Sequence, residues 1–401
     1  MNSTTASGAA WQDAQDFSLV LGGPLFQMLR RVRLSDDALL LVRQRIVAFA
    51  LLAWVPPLLL SALEGHLLGT SVAVPFLKDL EMHIRFLVAM PLLIVAELVV
   101  HQRLRPIAQT FLARDLIPES AVKRFDDAIT GARGLRNSVA AEMVLLAVVY
   151  GVGVLLLWRH YLVLDTTTWF ATPSAGEPAL TLAGCWYGYV SLPLFQFLLM
   201  RWYFRIFIWA RFLWQVSRLP LRLLPTHPDR LAGLGFLSST AYAFGVLLVA
   251  HGSMLAAQIA NRIFFAGAAL PEFKGEIALM VAFLLFLVFG PLLVFAPQLA
   301  QAKRQGLRDY GGLAQRYVRE FDAKWMRDAA PSGEPLVGSA DIQSLADLGN
   351  SYEVVRGMRI LPVTREGLLQ LGAAVLVPLV PLALTMMPLE ELLKRLAGVL
   401  L

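Results

Sequence analysis

Charged side chains inside apolar segments are the residues of this chain best placed to do chemistry. An ionised group near a bilayer centre costs at least about 2.5–3.5 kcal/mol on insertion scales, so it marks a functional site or a paired structural one. Glu97, Glu142 and Arg201 each fall about one helical turn inside an apolar stretch, and Arg205 follows Arg201 by one turn more. These charges share one depth with compensating signs. One reading is an ion pathway or gate on the basic side of the membrane, with Glu97 and Glu142 facing Arg201 and Arg205. The other is a structural ion pair between helices, or side chains that snorkel to the interface. A second set, His251, Gln258 and Arg262, stands at i, i+7 and i+11 of one stretch. That spacing puts all three on one helix face, able to line a cavity open to the outside. His251 lies near mid-depth, where a wet imidazole binds an anion or relays a proton, and a dry one hydrogen-bonds a neighbouring helix. Leu255 interrupts the stripe, and Ser253 and Asn261 fall on other faces.

A third candidate is the string Pro225-Thr226-His227-Pro228-Asp229-Arg230, followed by Gly233-Leu234-Gly235-Phe236. Thr226 and Asp229 have the spacing of a capping box at a helix start, and Pro228 suits a first helical turn. The two glycines would then let the helix approach a neighbour closely. Against this structural account stands a cytoplasmic ligand or gating site made of His227, Asp229 and Arg230, with His101 as a further member. Metal ligation is not expected, since the chain has neither a His-Glu-x-x-His run nor paired cysteines.

The elements that must position these residues are membrane helices. Of 401 residues, 57% are hydrophobic and 16% charged, against roughly 25% charged in a soluble domain, which excludes a soluble fold. Apolar stretches of bilayer length lie at about 46–63, 84–102, 139–158, 184–205, 237–258, 277–297 and 367–388. The expected fold is therefore all-α, a polytopic bundle of about seven spans with a helical cytoplasmic layer. Arg30, Arg31, Arg33, Arg43 and Arg45 precede span one, and basic residues crowd 103–137, 205–230 and 303–365, while 160–183 has none. The N-terminus is thus expected inside. Trp186, Tyr187 and Tyr189 are expected in an outer interfacial belt. Met1 to Ser18 has no basic start followed by an apolar core, so no cleavable signal peptide is expected.

The chain divides into a cytoplasmic tail (1–45), spans one and two (46–102), a helical segment (103–137), spans three to six (138–297), a second helical segment (298–366), and span seven with an amphipathic C-terminal helix (367–401). In 103–137, Phe125, Ile129 and Leu135 are spaced for an apolar face. In 298–366, a helix runs inward to about Arg327, breaks at Pro331-Ser332-Gly333, and gives way to an amphipathic helix from Asp341 to about Ile360. Ile342, Leu345, Leu348, Tyr352 and Val355 form its apolar face. The lone Cys185 allows no intrachain disulfide. The net charge of +6 collects on one face, where anionic lipid is the natural partner rather than nucleic acid.

The string PTHPDR with its glycine-rich GLGFL run, the run Asp341 to Leu348 (DIQSLADL), and the end Met387 to Leu393 resemble those of a group of uncharacterised bacterial integral membrane proteins. That group has glycine where this chain has Ala232. The resemblance covers some forty residues and implies a multi-pass protein of the bacterial inner membrane, with no assigned activity. No nucleophile and base pair, phosphate-binding loop or metal signature stands out, so neither enzymatic activity nor a cofactor is expected. With no carboxylate at the midplane, a coupled pump is not expected either. An ion channel or passive small-solute transporter is the leading expectation, with self-association into a homo-oligomer compatible. The alternative is a membrane scaffold, signalling or envelope-maintenance protein acting through its cytoplasmic helices.

Overall fold

The computed structural model describes residues 17–31, 41–69, 71–158, 167–172, 179–327 and 338–386, with Ala14 and Pro335. The expected break at Pro331-Ser332-Gly333, the C-terminal amphipathic helix and the Met387 to Leu393 motif lie outside these residues. The architecture is all-α. Helix α1 is Pro24–Arg31 and α2 is Val42–Leu63. Helix α3 runs from Leu80 to Ala113, α4 from Val122 to Arg136, and α5 from Val139 to Val148, widening into a π-helical stretch to Trp158. Helices α6 (Leu182–Val216), α7 (Phe236–Ala266) and α8 (Leu270–Arg327) follow, then α9 (Ala340–Arg356) and α10 (Arg365–Thr385). A two-residue ribbon, β1 (Ala171–Thr172) against β2 (Ala179–Leu180), is the sheet among the described residues.

Six helices, α2, α3, α6, α7, α8 and α10, are long and apolar enough to cross a bilayer, and α4 and α5 form a seventh candidate bent by 48° at their junction. The chain is a multi-pass membrane protein. Expected span three thus starts at a corner, because Ser138 caps α5 through the Ala141 N–H while α4 stays in the basic layer. Residues such as Met143, Val144, Leu279, Phe283 and Phe286 are exposed and apolar, the surface a lipid solvent requires. Helix α7 is the central one, with 72% of its apolar window buried. It packs on α3 and α10. Its closest approach to α10 is at Gly252, where a methyl group would collide with the backbone carbonyl of Val375. Because backbone cannot swing aside, Gly252→Ala is expected to cost about 1–3 kcal/mol, read as a lowered unfolding midpoint in detergent.

At the basic end of the spans lies a packed helical layer. Phe125 and Ile129 of α4 are fully buried, and α4 packs on α6. Phe17 stacks on Phe212 at 4.8 Å, which seats the chain before α1 on the inner end of α6. Helix α8 continues inward through a tight 3₁₀ stretch, Gly290–Phe295, and pairs with α9. Val355 is buried in that pair and Leu345, Leu348 and Tyr352 are half-buried, whereas Ile342 is exposed. A clasp closes the hairpin. Lys324 Nζ and Trp325 Nε1 reach one Asp341 oxygen at 2.8 and 3.0 Å, holding that carboxyl below its usual range.

Candidate functional site

Two adjoining regions gather the polar residues of the membrane layer. The inner one is a buried ion cluster. Glu97 of α3 accepts from Arg205 Nη2 of α6 at 2.6 Å through one oxygen and from Arg45 Nη1 of α2 at 2.6 Å through the other. Arg201 of α6 lies 3.4 Å from Glu142 of α5, whose second oxygen accepts the Leu25 N–H at 2.9 Å, at the start of α1. All five side chains are buried. The expected meeting of these charges is therefore present, with the pairing rearranged. Glu97 bonds Arg205 and Arg45, leaving Arg201 to Glu142.

Arg45 is the partner that span-by-span reading passes over, because it falls at the span edge among orientation charges. A signal was available. Arg45, Phe49, Ala53, Pro57 and Ser61 form the buried stripe of α2 at a spacing of four. Three guanidinium groups against two carboxylates leave the cluster one charge positive, and Arg45 Nε and Nη2 find no acceptor. The segment before α1 closes it from below. The Ser18 hydroxyl already accepts the Val20 and Leu21 N–H groups at 3.1 and 3.0 Å, so it donates to His101 Nδ1 at 2.9 Å.

The second region is a cavity of about 620 Å³ on the opposite, outer side, between α3, α6 and α7. His251, Gln258 and Arg262 all line it, as does Leu255, so the apolar interruption does not break the stripe. The α7 lining runs from Ala250 to Ala266, about 24 Å along the axis. His251 Nδ1 faces the Leu247 carbonyl at 2.8 Å and Nε2 faces the Tyr203 hydroxyl at 2.9 Å. The carbonyl can only accept, so Nδ1 carries the proton and Nε2 receives the hydroxyl. His251 is thus a hydrogen-bonded wall residue.

Asn261 is not on another face, as its position in the stripe suggests. It borders the cavity and donates to Asp79 Oδ1 at 2.9 Å, because the outer loops fold inward and bring Asp79 to it. Asp79 also accepts from Trp169 Nε1 at 2.9 Å and caps the start of α3 through the Met82 N–H. Tyr187 is likewise buried rather than in the interfacial belt, its hydroxyl bonded by Arg85, which also holds Glu81. No spacing along one helix predicts this lining, since its members come from loops and five helices. Glu97, Glu142, Arg201 and Arg205 do not border the cavity. It ends at Leu93, one turn before Glu97.

The Thr226–Arg230 string does not build a helix start. Its helix begins at Phe236, and Asp229 instead gathers the loop, accepting the N–H groups of Leu231, Gly233 and Gly235 at 2.7, 3.2 and 2.8 Å. The chain bends left-handed at Arg230, Ala232 and Gly233 to wrap the carboxylate, which prevents the capping box and the helical Pro228 turn. Ala232 adopts φ 53°, a backbone that glycine takes without strain. Gly235 leaves room for the carboxylate, where a methyl would meet Asp229 Oδ2 at 2.8 Å. Burial pushes the Asp229 carboxyl up, but the three N–H groups and His227 more than offset this and hold it below its usual range. Thr226 receives the Tyr310 hydroxyl at 3.5 Å, and Arg230 O accepts the Arg359 N–H at 2.8 Å, so the loop docks on the α8–α9 hairpin. His227 lies 3.0 Å from Asp229, while His101 bonds Ser18, and the two histidines do not share a site. No group of three metal-ligating side chains occurs among the described residues.

The chain was compared with known protein families, curated proteins and solved structures. None matches. What the site can do chemically rests on its own geometry: a deep amphipathic cavity on one side of the membrane layer and a buried ion cluster on the other.

Proposed function

We propose that the protein is a passive transporter of small solutes in the bacterial inner membrane, with its N-terminus inside and anionic lipid against its basic face. The observation that carries this reading is the cavity, which reaches mid-depth at His251 and stops one turn above the ion cluster. An outward-facing vestibule over a locked inner layer is the resting half of an alternating or gated path. The cluster supplies the lock, because separating Glu97 from Arg45 and Arg205 opens the contact between α2, α3 and α6. The bacterial location draws on the PTHPDR and DIQSLADL resemblance, and the orientation on the basic residues that crowd one face.

The test is flux through purified protein in liposomes, with gradients of K⁺, Na⁺, H⁺, Cl⁻ and the uncharged solute phenyl β-D-glucoside. Leu255→Trp, which fills the cavity, is the control. Uptake of the glucoside that wild-type protein supports and the variant loses is the expected result. Silence for every solute from folded protein overturns the reading. It would favour the scaffolding alternative, which draws on the exposed Leu313, Val318, Met326 and Ile342 of the α8–α9 hairpin.

A further inference from the structure

We propose that the outer cavity selects an uncharged amphiphile, a molecule with an apolar or aromatic body and a head that donates hydrogen bonds. This deepens the transport reading and rests on it only for the direction of movement, since binding is measurable by itself.

The first argument is charge. Every charged side chain bordering the cavity is answered within the protein. Arg85 is held by Glu81 and Tyr187, Arg262 by Glu276 at 3.2 Å, and Asp79 by Trp169, Asn261 and the Met82 N–H. Both His251 nitrogens are engaged. An ionic ligand would have to break one of these contacts or enter without a counter-charge, and neither compensates for its lost hydration.

The second argument is what the wall leaves unmet. Gln196 Oε1 and Asn261 Oδ1 are buried acceptors with no donor, and Arg85 Nε is a buried donor with no acceptor. Gln196 stands on α6 and Asn261 on α7, so the two open acceptors come from different walls. A buried polar atom without a partner costs about 1–3 kcal/mol, and turning either amide into the cavity against a ligand hydroxyl recovers that cost. Gly153 is the space that allows Gln196 this position, because a side chain there would run into the Gln196 amide.

The third argument is the remaining surface. Phe170, Phe195, Leu199, Met254 and Leu255 give an apolar lining, and about 620 Å³ is within the range of sites that enclose a small organic molecule. Hydroxyls against the amides and a ring against the phenylalanines satisfy the whole wall.

The experiment uses full-length protein in nanodiscs and three radiolabelled probes of similar body: phenyl β-D-glucoside, phenyl phosphate and phenethylammonium. Equilibrium binding above empty nanodiscs is read for wild type, Gln196→Leu, and the cavity-filling Leu255→Trp and Met254→Trp. The expected result is saturable glucoside binding at least about tenfold tighter than either charged probe. Gln196→Leu should weaken it about fivefold, the loss of one hydrogen bond, and a tryptophan that leaves the protein folded should abolish it. Tighter binding of phenyl phosphate or phenethylammonium overturns the proposal, as does glucoside binding that Gln196→Leu and both tryptophan variants leave unchanged. Binding without flux would sink transport and keep the ligand class. Flux of ions in preference to the glucoside would do the reverse.

Discussion

Replacing Glu97 with alanine is expected to destabilise the fold by about 3–5 kcal/mol, the largest effect of any single substitution in the membrane layer. Among the described residues Glu97 is the one carboxylate in direct contact with both Arg45 and Arg205, so its loss leaves two buried guanidinium groups facing each other. Glu142, the other carboxylate of the cluster, is already shared between Arg201 and the Leu25 N–H. Desolvation was offset when the cluster formed, and removing the anion alone leaves that penalty in place. The readout is the fraction of protein that elutes as a sharp peak in detergent, with the unfolding midpoint of what survives. Glu97→Ala combined with Arg205→Leu should recover part of the loss, since the pair share one interaction. A Glu97→Ala protein as stable as wild type would mean that water reaches the cluster and that the segment before α1 does not seal it.

The second large effect is expected at Asp229. Asp229→Ala removes three N–H bonds from a loop with three left-handed residues, at a cost of about 3 kcal/mol. The damage should spread, because the loop joins three parts of the basic helical layer. Arg114 of the α3–α4 turn donates to Gly233 O at 3.1 Å, Gly306 of α8 sits against Pro225, and the Arg359 N–H reaches Arg230 O. Hydrogen exchange at Leu231, Gly233 and Gly235 should accelerate together. The pH dependence follows from the direction of the shift. A carboxyl held below its unfolded value stabilises the protein fully above the unfolded value, near pH 3.9, and loses that contribution as pH falls through the folded one. The stability gap between wild type and Asp229→Asn should therefore be constant near neutrality and close below about pH 4.

Periodicity and charge made much of this architecture readable. Bilayer-length apolar runs located the spans, and equal depth with opposite sign brought Glu97, Glu142, Arg201 and Arg205 together. The stripe of His251, Gln258 and Arg262 located one wall of the cavity, since residues on one helix keep their spacing whatever else the chain does. The opposite walls were hidden for the same reason. Asp79, Thr168 and Phe170 reach the cavity through loop paths that no period encodes. At Thr226–Asp229, local spacing fitted a helix cap, and the choice fell to a competing use of the same carboxylate. Three positive-φ residues made the loop fit Asp229 better than a helix would. Ala232, one of the three, hides this in the sequence, because a glycine there would have advertised the turn.

The inward course of α8 sets a distance. From residue 298 to Arg327 it extends for about 45 Å along its axis, and its far end carries the exposed Met326. At physiological salt the potential of an anionic lipid surface decays over about 8 Å, so with α8 along the membrane normal the tip would stand several screening lengths from the headgroups. A body that meets the hairpin there does so in bulk electrolyte, beyond the reach of the lipid charge that steers the basic face.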